Sequence, residues 1–109
     1  MTYPHLTNLT FLNISGNQIT DFTPLSNLAN LEFLNLGNSQ ISNLMPLSNL
    51  TNLRSLLLND NQINHVTPLA GLVNLNQLNL SNNQISDISP LVGTLINLMH
   101  IELYGTPLE

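Results

Sequence analysis

The sequence predicts a solenoid: a stack of short coils with a strand on one side and an irregular return on the other. Three observations predict it. A 14-residue motif recurs as LNISGNQITDFTPL at 12–25, LNLGNSQISNLMPL at 34–47, LLLNDNQINHVTPL at 56–69 and LNLSNNQISDISPL at 78–91. The step between copies is 22 residues each time. Every copy places apolar residues at the same positions, within the template L-x-N-L-x-x-L-x-L-x-x-N-x-I-x-x-Φ-x-P-L-x-x, where Φ is apolar. A fixed period in the 20–29 range with this leucine spacing marks a leucine-rich repeat solenoid.

Each element of one coil follows from its spacing. Leu78-Asn79-Leu80 alternates with period two, which predicts a short strand with one face buried. Asn82 and Asn83 end it, because Asn favours turns and tolerates unusual backbone. Ile85, Ile88 and Leu91 recur every three residues, the spacing of an extended or 3₁₀ return path. Pro90 sets its own φ and turns Ser89 away from helical geometry. One coil cannot bury its own apolar face, so coils stack through a parallel ladder at ~4.8 Å and share a core.

Counted from the leading Leu, the copies start at Leu6, Leu28, Leu50, Leu72 and Leu95. The whole chain, 1–109, is expected to form one domain with repeats 6–27, 28–49, 50–71, 72–94 and a partial repeat 95–109. The fourth copy is one residue longer, with Val92-Gly93-Thr94 where the others have two residues. Short parallel strands would line the concave face, and 3₁₀ or extended segments the convex face. Solenoids need polar caps on their terminal repeats, and here Leu6, Leu9, Leu12 and Ile14 stand under five preceding residues. The expectation is a domain without its terminal caps, whose end faces meet further sequence or pair end to end with another copy.

Composition removes several function classes. Only 6 % of residues are charged, with one Arg, no Lys and a net charge of −5. Binding to phosphates needs Lys and Arg, so nucleic acid and anionic membrane surfaces are poor partners. No cysteine is present, which excludes disulfides and thiolate metal sites. No apolar run reaches the ~20 residues of a membrane span. The segment MTYPHLTNLT lacks the basic end and apolar stretch of a signal peptide.

Stacking turns each template position into a column. Asn17, Ser39, Asn61, Asn83 and Thr106 are expected to form an inward structural ladder, bonding backbone groups where the chain leaves the sheet. A second column, Asn8, Asn30, Asn52, Asn74 and Asn97, is expected to pair with backbone. Gln18, Gln40, Gln62 and Gln84 form an exposed or half-exposed row. Four N-x-S/T sequons, at Asn8, Asn13, Asn49 and Asn79, arise from the template rather than from glycosylation. Asp21 and Asp87 share a column but lie three coils apart, roughly 14 Å, too far to share a cation.

Catalytic material is scarce. His5, His65 and His100 fall in separate places. His100 and Glu102, with Tyr104 in line on one strand, are the only cluster resembling acid/base chemistry, and no pocket is implied there. The chain is expected not to be an enzyme and to need no cofactor.

Binding is expected on the outward strand residues, which the template leaves free. Their columns read Phe11, Phe33, Ser55, Gln77, His100, then Asn13, Asn35, Leu57, Asn79, Glu102, then Ser15, Gly37, Asn59, Ser81, Tyr104. Phe11 and Phe33 should occupy adjacent rungs with Leu57 diagonal to Phe33, and contiguous exposed apolar groups mark contact sites. A bordering column places Glu32 beside Arg54. The expected partner-binding residues are Phe11, Phe33, Leu57 and Arg54, followed by His100, Glu102 and Tyr104. The partner would be a protein. The alternative is a spacer or a self-associating solenoid without a ligand of its own.

The NQI, P-L and NL-x-x-L elements, and above all LSNNQISDISPL, resemble the 22-residue repeats of bacterial internalin-like surface proteins. A phosphatase regulatory subunit inside cells has repeats of the same length. The resemblance covers residues 6–108 and implies protein recognition on the concave face. It also implies a cell-surface or secreted location if the chain is part of an internalin-like protein, against a cytoplasmic one if Met1 is the true start. A signal peptide, a helical N-terminal cap, an immunoglobulin-like domain and a wall-anchoring tail, the other internalin parts, are not recognised in these 109 residues.

Overall fold

The computed structural model describes residues 4–19 and 21–108, the side chains of Pro4 and His5 aside. It is a single five-stranded parallel sheet in sequential order. The strands are β1 (Phe11–Asn13), β2 (Phe33–Asn35), β3 (Ser55–Leu57), β4 (Gln77–Asn79) and β5 (His100–Glu102). Register follows the repeat, so Leu12, Leu34, Leu56, Leu78 and Ile101 form one row across the sheet. The strand expected at Leu78–Leu80 starts one residue earlier. Its ladder nevertheless continues past Asn79, because Leu80 N–H donates to the Glu102 carbonyl at 2.9 Å.

The core lies between the sheet and the return segments. Leu34, Leu56 and Leu78 are fully buried, as are Leu36, Leu58 and Leu80 two residues on. Return segments close it with 3₁₀ turns at Thr23–Asn27, Met45–Leu47, Thr67–Leu69 and Ser89–Leu91, each with a proline in its first turn. Proline suits that place because its missing N–H has no helical acceptor there. Asp21, Asn43 and Asp87 accept the N–H of Thr23, Met45 and Ser89 at 3.0, 3.0 and 2.8 Å and so start three of these turns. His65 occupies that column in the remaining coil. The Thr23 hydroxyl, and then its N–H, hold the Asp21 carboxyl below its ordinary value. The Ser89 N–H, and then its hydroxyl, do the same for Asp87.

The sheet ends at a left-handed residue in every coil: Gly16, Asn38, Asp60, Asn82 and Gly105 all have φ between 54° and 77°. Glycine, Asn and Asp are the residues that adopt this conformation most readily. Gly105 is needed for a second reason, since a Cβ there would overlap the Asn82 side-chain oxygen. Gln40, at φ 60°, is an additional case. It lies between Ser39 and Ile41, whose N–H groups both donate to Asn61 Oδ1 at 2.9 Å.

The longer fourth copy departs from an all-3₁₀ return. Residues Val92–Leu95 form one α-helical turn, α1. The extra residue is absorbed there, and buried Thr94 donates its hydroxyl to the carbonyls of Leu69 and Ala70 in the coil before. The sheet does not register the insertion, because Gln77 pairs with His100 just as Ser55 pairs with Gln77.

Two asparagine columns tie coil to coil. Asn61 Nδ2 donates to the carbonyls of Leu36, Leu58 and Asn59, and Asn83 Nδ2 to those of Leu58, Leu80 and Ser81. Asn83 Oδ1 also accepts the Ile63 N–H at 3.0 Å. The hydroxyl of buried Ser39 donates only to the Gly37 carbonyl, and that of half-buried Thr106 to the Leu103 carbonyl. Asn17 differs from the inward position expected of it. It is exposed and bonds only the Ile14 and Ser15 carbonyls of its own coil, as no described coil stacks before it. In the second column, Asn30, Asn52, Asn74 and Asn97 donate to the carbonyls of Thr7, Ala29, Thr51 and Val73, one coil back, at 2.6–3.0 Å.

Candidate interaction face

The side of the sheet away from the core carries the predicted contact residues in two groups. At one end, Phe11 and Phe33 are register partners, and their rings stack 4.3 Å apart and 5° from parallel. Phe11 is 60 % exposed and Phe33 half-buried beneath it. Leu57, half-buried, pairs with Asn35 of β2 and lies diagonal to Phe33. Beside this group Arg54 Nε lies 3.6 Å from Glu32 Oε1, with both side chains more than half exposed. Such a pair contributes ~0–1 kcal/mol and leaves most of the guanidinium available.

At the other end, His100 Nε2 and Glu102 Oε1 meet at 2.9 Å on β5, so the two side chains bend toward each other across the strand pleat. Tyr104 follows them and is 76 % exposed. Between the two groups Ser55 donates its hydroxyl to Gln77 Oε1 at 3.0 Å. The sheet therefore separates an apolar group on β1–β3 from a polar, aromatic group on and after β5.

Three face residues do work that sequence reading assigned to none of them. Asn13, Asn35 and Asn79 each accept, through Oδ1, the N–H two residues on, at Ser15, Gly37 and Ser81. These Asx turns bend the chain out of the sheet. The signal was present: Asn recurs at this template position in three copies, directly before the left-handed turn. Leu57 holds the same position in the third coil and has no oxygen to offer Asn59. Gly37 and Ser81, read as open-face residues, are in fact buried. Asn35 and Asn59 side-chain oxygens crowd Gly37. Ser81 Oγ is the one buried side-chain polar atom without a partner among the described residues. Ser15 Oγ, in the same column, donates to Asn13 Oδ1 at 2.8 Å, which shows the bond open to Ser81 by rotation about χ1.

Comparison with known proteins agrees with this architecture. The leucine-rich repeat family, described as Leucine Rich repeats (2 copies), matches residues 7–50 and 51–106. The chain belongs to this family. Its coils are internalin-like. Internalin C2 from Listeria monocytogenes is 46 % identical with a TM-score of 0.86, over 90 % of this chain and 43 % of that one. Internalin F from the same organism is 36 % identical with a TM-score of 0.89, over 94 % and 30 %. A leucine-rich repeat protein of Leptospira interrogans is 27 % identical with a TM-score of 0.83, over 95 % and 33 %. This leucine-rich repeat chain thus spans less than half the length of the structures it resembles. No curated protein matches it. Among the described residues, no helix is long and apolar enough to cross a membrane, and no three His, Cys, Asp or Glu side chains group as a metal site.

Proposed function

We propose that the open sheet face is a protein-binding surface, with Phe11, Phe33 and Leu57 as its apolar anchor, Arg54 beside them, and His100, Glu102 and Tyr104 as secondary contacts. The observation that carries this reading is Leu57. Asn at its position closes an Asx turn in three other coils, so the leucine forgoes a backbone hydrogen bond and presents an apolar group beside the Phe pair. Partly exposed aromatic and aliphatic groups in contact are the usual centre of a protein interface. The family supports the same class of function, protein recognition by a repeat scaffold. The chain reads as a binding module rather than an enzyme, because His100 and Glu102 meet on an open face and catalytic sites are concave and enclosed.

The test uses peptides selected by display against the wild-type chain. Phe11→Ser with Phe33→Ser should abolish their binding with an unchanged circular dichroism spectrum. Leu57→Asn should weaken binding while restoring the Asx bond and raising stability by about 0.5–1 kcal/mol. Binding retained in both variants would overturn the assignment of this face.

A further inference from the structure

The two groups on the sheet face define a spacing and a charge for what binds there, and this inference rests on the reading just given. From Phe33 on β2 to His100 on β5 there are three strand intervals. At ~4.8 Å each this is roughly 14 Å. An extended segment lying across the strands advances ~3.4 Å per residue and covers that span in about four residues. An even number also matters, because side chains two or four apart in an extended chain point to the same side.

Charge identifies the second contact. Among the described residues, every acid has a partner for its carboxylate, and Glu102 alone has a histidine there. Asp21 and Asp87 start 3₁₀ turns, Glu32 lies against Arg54, and Asp60 accepts amide protons from Asn59 and Asn82 at 2.8 and 3.0 Å. Glu102 has only the imidazole of His100, and 45 % of its side-chain surface is exposed. Tyr104, two residues further along the chain in the turn after β5, is open to solvent. A carboxylate beside an exposed phenol ring is a site for an ammonium or guanidinium group. The net charge of −5 favours approach of a cation from any direction.

We infer that this face recognises an extended segment of a partner protein that places an aromatic or large aliphatic residue on Phe33 and Leu57, and a Lys or Arg four residues away on Glu102 and Tyr104. The apolar residue extends the Phe11–Phe33 stack. The cation gives Glu102 a permanent counter-charge beside the His100 imidazole.

The probe is the heptapeptide Gly-Phe-Thr-Ser-Thr-Lys-Gly, blocked at both ends, titrated into the full ¹⁵N-labelled chain. Amide shifts should move at Phe33, Leu57, Glu102 and Tyr104 together. Replacing the peptide Lys with Glu, or moving it to two residues from Phe, should weaken binding by about fivefold, as should Glu102→Gln in the protein. Equal binding of all three peptides, with shifts confined to Phe33 and Leu57, would overturn the spacing and charge while leaving the apolar anchor standing. Shifts absent at Phe33 and Leu57 as well would overturn both.

Discussion

Asn83 and Asn17 occupy the same place in the repeat, three 22-residue steps apart, and their surroundings differ completely. Asn83 is buried, donates to three carbonyls in two coils and accepts a backbone N–H. Asn17 is exposed and reaches only its own coil. The leucines repeat the contrast: Leu34, Leu56 and Leu78 are fully buried, while Leu12 and Ile101 in the outer coils of the same row are half-buried. A template position therefore has no fixed energy. Its worth is set by the coils on either side, as expected where each repeat contacts only its neighbours.

Substitutions at paired positions break or sharpen this comparison. Leu56→Ala should destabilise by about 2–5 kcal/mol in urea unfolding, and Leu12→Ala by less than about 2 kcal/mol. Equal losses would mean that burial across the stack does not set the energetics. Next in size, Asn83→Ala takes the partner from the Leu80 carbonyl and the Ile63 N–H, while the Leu58 carbonyl keeps Asn61 and the Ser81 carbonyl keeps the Asp60 N–H, and should cost about 1–3 kcal/mol. Asn17→Ala, on the open end, should stay within about 0.5 kcal/mol.

The smallest effect separates the return segments. Asp21 and Asp87 have depressed carboxyl values in the folded chain, so their contribution is complete above the ordinary carboxylate range and is lost as pH falls through the lowered value. His65→Asp should give the third coil the same turn-starting acceptor. A small rise in the urea midpoint at pH 7 that vanishes below about pH 4 is the expected result. A gain that persists at acid pH would have another origin.

Periodicity made the fold readable, because the 22-residue step names the face each leucine must bury before any contact is known. The Phe11–Phe33 stack and the Glu32–Arg54 contact were legible for the same reason, since register alone sets them side by side. What escaped were bonds that depend on rotamers and local turns. Asn13, Asn35 and Asn79 look like surface residues by period, yet their oxygens turn back on the chain two residues later. His100 and Glu102 stand a strand-pleat apart by spacing alone and meet only because both side chains lean inward. Ser81 shows the opposite failure. Alternation points it outward, and the turn beneath Asn79 buries it.

The single turn of α1 also governs how this molecule tolerates change in length. One added residue sits behind the core, anchored by Thr94, and the fourth and fifth strands keep the alignment of all the others. The rear of a coil thus acts as slack that takes up insertions before they reach the front. Gly93, exposed and with nothing within 4 Å of an added Cβ, is the natural place for a reporter group or an engineered loop. A label attached there would leave the Phe33-to-Glu102 spacing untouched, so the proposed recognition surface can be watched from behind without being altered.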